Sequence, residues 1–131
     1  MTTAPNSALI PTFAALRFAT GVASWAAPIR AARLFGLGSA KQQPLLTQLF
    51  ASRELTLAVA VADPASPRLR TRALQLGLLT DALDIVATLR GLRSETLRPV
   101  GAIVTGGGAA VFLAMGLTAL ANQKRAAAPT A

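Results

Sequence analysis

Five charged residues lie near the middle of long apolar segments: Arg17, the adjacent Arg53 and Glu54, and the pair Asp81 and Asp84. A charge in apolar surroundings is costly, so these positions constrain the fold more than the leucines around them. If the segments cross a bilayer, all five charges fall at about the same depth, near its midplane. That placement is not built in, because the segment ends are set by Pro, Gly and loop Arg residues.

The 131 residues suffice for one domain. An apolar share of 53% against 14% charged exceeds the balance of a soluble domain, which needs more charge to cover its surface. Cys, His and Tyr are all absent, which excludes disulfides, a thiol nucleophile, an imidazole base and Cys- or His-built zinc or haem sites. No metal and no cofactor is therefore expected. The net charge of +8 is not a nucleic-acid signature: eleven of the thirteen basic residues sit in connections and the tail, without aromatic interleaving. They are expected to meet lipid headgroups or water.

Residues 1–7 carry no charge and are expected to be flexible. The first apolar segment spans 8–27, punctuated by Pro11 and Pro28. It lacks a basic leader and is interrupted by Arg17, so it is not expected to be a cleaved signal. Arg30 and Arg33 among apolar neighbours suggest a short interfacial helix, with Trp25 at the depth of an aromatic belt. Further segments are expected at about 44–62, 72–90 and 99–121, and 122–131 reads as a flexible tail. Each is long enough, at ~20 residues, for a ~30 Å hydrocarbon core. The fold class predicted is all-α, a four-helix transmembrane bundle with a short interfacial helix after the first span, its neighbours running up and down. Orientation stays open, since the basic residues divide five against six between the two sides.

The third segment shows what the charges cost. Asp81 and Asp84 oppose insertion by ~5–7 kcal/mol together, while its six Leu with Ile85 and Val86 return roughly 2–5 kcal/mol. It needs a neutralising partner. Gly77, Asp81, Asp84 and Thr88 share one helical face, as do Arg17, Gly21, Ser24 and Pro28 on the first segment. On the second, Arg53 and Thr56 share a side, with Glu54 about 100° round the helix. Turned inward, these faces form a core of two Arg and three carboxylates with a formal sum of −1. Gly106-Gly107-Gly108 in the fourth segment suits close helix packing, or else a helix break that lines a cavity.

Leu16-Arg17-Phe18 with Gly21 and Pro28, Arg33-Leu34-Phe35-Gly36, Ala51-Ser52-Arg53-Glu54-Leu55 and Thr80-Asp81-Ala82-Leu83-Asp84 together touch most of the chain. In this layout it resembles a family of small four-span membrane proteins, bacterial and fungal, broadly DoxX-like in size and topology. The resemblance implies a multi-pass fold and a membrane location. Through fungal members similar in size to small membrane proteins of secondary-metabolite clusters, it implies an accessory biosynthetic role.

Three functions fit these residues. In the first, a lipophilic small molecule enters from the bilayer and meets Asp81 and Asp84 as base and acid, beside Glu54, with Arg53 as orienting cation and Arg17 and Thr88 as binding residues. Hydrolysis, isomerisation and cyclisation all suit two acids bracketing an Arg. In the second, Glu54 or an aspartate carries protons for a small-molecule transporter. In the third, the charges only lock the helices of a scaffold or assembly subunit. The expected partners are the lipid bilayer and a lipophilic molecule, with a homo-oligomer left open.

Overall fold

Prolines and a few capping residues cut this chain into helices. In the computed structural model, which describes residues 6–38 and 43–128, five helices form: α1 Leu9–Ala26, α2 Pro28–Leu34, α3 Gln43–Ala62, α4 Pro67–Arg93 and α5 Pro99–Ala127. Pro28, Pro67 and Pro99 each open a helix, where the missing N–H has no partner to lose. The Ser66 hydroxyl accepts the Leu69 N–H and caps α4. Gly36 follows α2 with φ +73°, the left-handed exit that glycine permits. The described residues are all-α.

The helices outrun the apolar segments at three ends. Residues 67–71, read from sequence as linker, are the first turns of α4, because Ser66-Pro67 is a helix start even though the Arg residues after it are polar. Residues 91–93 extend α4, and 122–127, read as tail, continue α5. Asn6, assigned to a flexible terminus, donates to the Ala119 carbonyl and accepts from Asn122, which ties it to α5. Residues 1–5 and 129–131 lie outside the described set.

Four long helices pack as a square: α1 on α3, α3 on α4, α4 on α5 and α5 on α1. Among the described residues, no close backbone approach joins α1 to α4 or α3 to α5, so these pairs are the diagonals. Neighbours run antiparallel. Thr71 near the start of α4 bonds Gln123 near the end of α5, and Gln48 near the start of α3 bonds the Trp25 carbonyl at the end of α1. Glycines set the tightest contacts. A Cβ on Gly21 would lie 2.7 Å from Leu55 Cγ, and one on Gly101 would lie 2.5 Å from Gly36 Cα. The second contact clamps the end of α2 onto the start of α5.

The apolar core sits at one end of the square, where Ile10, Phe13, Val61, Leu74 and Ala119 meet. Nine of the fourteen buried hydrophobic residues are Ala, so little large apolar surface is inside. The large side chains face out instead: twenty-three are exposed, on all five helices. Two helices, α3 and α5, are long and apolar enough to cross a membrane. By that measure α1 and α4 are not: Arg17 interrupts α1, and Asp81 and Asp84 lie between Arg72 and Arg90 in α4. The four spans read from sequence are thus two by this measure, and the difference is these interior charges.

Candidate functional site: an ion chain beneath an apolar cavity

The five mid-helix charges meet. Arg17 reaches along the α1–α4 diagonal, donating from Nη1 to Glu54 Oε2 on α3 at 2.6 Å and from Nη2 to Asp81 Oδ2 on α4. Glu54 also accepts from Arg53, Nε at 3.3 Å and Nη2 at 3.2 Å. Arg53 in turn holds Asp84 with two bonds, at 3.2 and 2.7 Å. The result is an alternating chain, Asp81–Arg17–Glu54–Arg53–Asp84, that links three helices and ends in a carboxylate on both sides.

Its two halves differ in environment. The Arg17, Glu54 and Asp81 side chains are 0%, 1% and 2% exposed, whereas Arg53 and Asp84 are 31% and 32% exposed. Arg17 has no further freedom: its guanidinium carbon lies 4.8 Å from the Phe13 ring centre and 4.5 Å from that of Phe112. Gly77 makes room for it, since a Cβ there would sit 3.2 Å from Arg17 Nη2. The Phe50 ring lies under Arg53 at 4.8 Å.

Glu54, Asp81 and Asp84 border a cavity of about 810 Å³. Its walls are apolar, with Phe35, Leu46, Phe50, Leu97, Val104 and Phe112 prominent, and Thr20, Thr47, Thr88 and Thr105 interspersed. The Phe13–Phe112 contact between α1 and α5 bounds it at the core end, and the Gly36–Gly101 clamp lies at the other. Leu16 and Thr20 on α1 and Gly107, Gly108 and Val111 on α5 also line it, and Leu16 and Val111 are exposed. A Cβ on Gly107 or Gly108 would meet nothing within 4 Å. The glycine run therefore divides its work without a helix break: Gly106 packs against Thr88, while Gly107 and Gly108 line the cavity.

A second groove, of about 1050 Å³, lies at the other end, against α1 and α3. Its charges are already engaged: Arg70 bonds the Val61 and Asp63 carbonyls, and Asp63 accepts the Ala65 N–H. It closes the α3–α4 connection.

The structure redistributes the residues singled out from sequence. Asp81, Asp84, Glu54 and Thr88 do border the cavity. Arg53 was expected between Asp81 and Asp84, but its partners are Asp84 and Glu54, and Asp81 belongs to Arg17. Arg17 was assigned to substrate binding, yet it is enclosed, does not border the cavity and spends its terminal nitrogens on protein carboxylates. It is a positioning residue. The expected inward pairing of Arg53 with Thr56 also changes: Glu54 takes the inward place, while Thr56 is exposed and bonds the Ser52 carbonyl. The Thr88 hydroxyl donates to the Asp84 carbonyl at 2.8 Å. Gln43 and Thr47 were missed; they lie two turns of α3 before Phe50 and Glu54 respectively, and only helical phase would have marked them. Among the described residues, no group of three His, Cys or acidic side chains is arranged to hold a metal ion.

No family model, no curated protein and no solved structure matches this chain.

Proposed function

We propose that the chain is a four-span integral membrane protein whose cavity receives a lipophilic small molecule that enters from the bilayer between α1 and α5. The observation that carries the reading is an inverted distribution of side chains. Arg17, Glu54 and Asp81 are inside with the alanines, while twenty-three large apolar side chains are outside. In water such a bundle would expose most of its apolar surface and bury its charges, losing on both counts. In lipid the arrangement is natural: small residues let helices approach, and ionic groups turn inward.

Two further facts support it. Only 33% and 22% of the most apolar stretches of α3 and α5 are buried, which is too little for core helices of a soluble domain. The charges outside the ion chain, among the described residues, fall at the two ends of the square, as headgroup contacts require. On this reading the ion chain also makes α1 and α4 span-competent, because their interior charges, Arg17, Asp81 and Asp84, each have a partner on another helix. α2, with Ile29, Arg30, Arg33 and Leu34 exposed, lies in the interface.

A cavity of about 810 Å³ is within the ~300–1,000 Å³ that small-molecule sites occupy. Apolar walls over a carboxylate floor suit a lipophilic body with one polar end. Binding is the first role of the site; the acids that bracket Arg53 are Glu54 and Asp84 in place of the expected Asp81 and Asp84.

The chain has no cysteine, so single cysteines report topology directly. In sealed vesicles, an impermeant maleimide should label Ala65→Cys and Arg125→Cys from one side, and Arg33→Cys and Arg93→Cys from the other. Labelling of all four from one side would overturn the four-span reading. Lipophilic molecules co-purifying with wild type in mild detergent, and lost with Gly108→Phe, would identify the cavity's occupant. The same molecules retained by Gly108→Phe would place them elsewhere.

A further inference from the structure

The cavity's polar atoms also select the charge of what enters it. Its lining holds three carboxylates and no Lys or Arg. The two guanidiniums that hold those carboxylates approach from behind, and the five charges sum to −1. The surplus faces the cavity, because all three carboxylates border it and neither guanidinium does.

A second and independent observation lies on α3. The Thr47 residue is 1% exposed and borders the cavity, yet its hydroxyl has no hydrogen-bond partner. A helical Thr ordinarily bonds the carbonyl four residues back, as Thr56, Thr88 and Thr105 do here. Gln43 Oε1, one turn earlier and also on the cavity, is likewise buried without a partner. Each of these oxygens can accept a bond, and among the described residues neither has a donor within reach. Unmet polar groups of this kind are rare in folded proteins, and beside a cavity they are open to a ligand or water, whereas Arg17 Nε, the third such atom among the described residues, lies away from it.

We infer that the cavity binds a lipophilic amine in its ammonium form, with the charged end at Glu54 and Asp84 and hydrogen-bond donors offered to the α3 oxygens. This inference rests on the cavity reading above and names its ligand class. An ammonium cancels the surplus charge and donates to acceptor-only carboxylates. A fatty acid or phosphate ester meets three carboxylates and no free cation. A bare metal ion leaves apolar walls around about 810 Å³ unfilled. Thr47 lies two turns from Glu54, ~10 Å along α3. A chain of about eight carbons with a second donor at its far end therefore reaches both.

The test uses the full chain in phosphatidylcholine nanodiscs, with empty nanodiscs subtracted, and four probes: octylamine, octanol, octanoate and 8-amino-octan-1-ol. Octylamine should bind roughly tenfold or more tighter than octanol, and octanoate more weakly than either. Asp84→Asn removes the surplus charge, and the amine-to-alcohol ratio should fall towards one. 8-Amino-octan-1-ol should bind tighter than octylamine to wild type but not to Thr47→Val. Should Asp84→Asn fail to fold, the wild-type head-group ratio and the isosteric Thr47→Val still decide. Equal binding of octylamine and octanol, or preference for octanoate, overturns the amine assignment and leaves the cavity reading standing. Binding of none of the four overturns both.

Discussion

Replacing Arg17 by Met tests how the ion chain shares its load. Methionine keeps the packing against Phe13 and Phe112, since a thioether sits well beside aromatic rings, but it removes the charge. Two carboxylates then lose a cation, and their fates differ. Glu54 keeps two bonds from Arg53, at 3.3 and 3.2 Å. Asp81, 2% exposed, has Arg17 as the one hydrogen-bond partner of its carboxylate among the described residues. Uncovering a buried charge in this way costs ~3–5 kcal/mol. Most of that loss should be restored by Arg17→Met/Asp81→Asn and much less by Arg17→Met/Glu54→Gln. In double-mutant cycles the Arg17–Asp81 coupling should reach ~2–3 kcal/mol, against ~1 kcal/mol or less for Arg17–Glu54. Reversible unfolding in mixed micelles, titrated with a denaturing detergent, measures all of these differences. The reasoning fails if Glu54→Gln rescues as fully as Asp81→Asn, or if Arg17→Met alone costs under ~1 kcal/mol.

The Gly36–Gly101 clamp predicts that Gly101→Ala, whose Cβ would lie 2.5 Å from both Gly36 Cα and the Phe35 carbonyl, destabilises by ~1–3 kcal/mol in the same assay. Gly107→Ala is the opposite case: its Cβ meets nothing within 4 Å, and the lost backbone freedom should stabilise α5 by ~0.5–1 kcal/mol.

Much of this architecture was legible because proline and charge act locally. Pro28 and Pro99 mark helix starts whatever surrounds them, and the phase of Gly77, Asp81, Asp84 and Thr88 fixes which side of α4 turns inward. That Arg17 must find carboxylates followed from cost alone. Which carboxylates it finds did not, because pairing depends on the α1–α4 diagonal, and the order of helices round a square leaves no mark in any one helix. Arg53 was misplaced for the same reason: on α3 it neighbours Glu54 in sequence, and only the packed neighbour α4 brings Asp84 rather than Asp81 to it. Helix ends were read short where polarity changes before the helix stops, as at Pro67–Arg72. Gln43 and Thr47 carry no charge, so nothing drew attention to them until their hydroxyl and amide oxygens stood without partners beside the cavity.

The two arginines sit in contrasting surroundings, one enclosed and one about one-third exposed. A network built only to lock helices would enclose every member, as it encloses Arg17, Glu54 and Asp81 at 2% exposure or less, and that triad alone carries the −1. Arg53 and Asp84 add one more pair, of one positive and one negative charge, so the sum stays −1 and the lock gains no neutrality from them. They are also about one-third exposed. What they do add is position: Arg53 fixes the Asp84 carboxylate with two bonds beside the cavity and braces Glu54 from behind. A bundle needing only cohesion would be served as well by an apolar pair at 53 and 84. On the proposed reading, the partly open Asp84 carboxylate is the group that an arriving amine would meet.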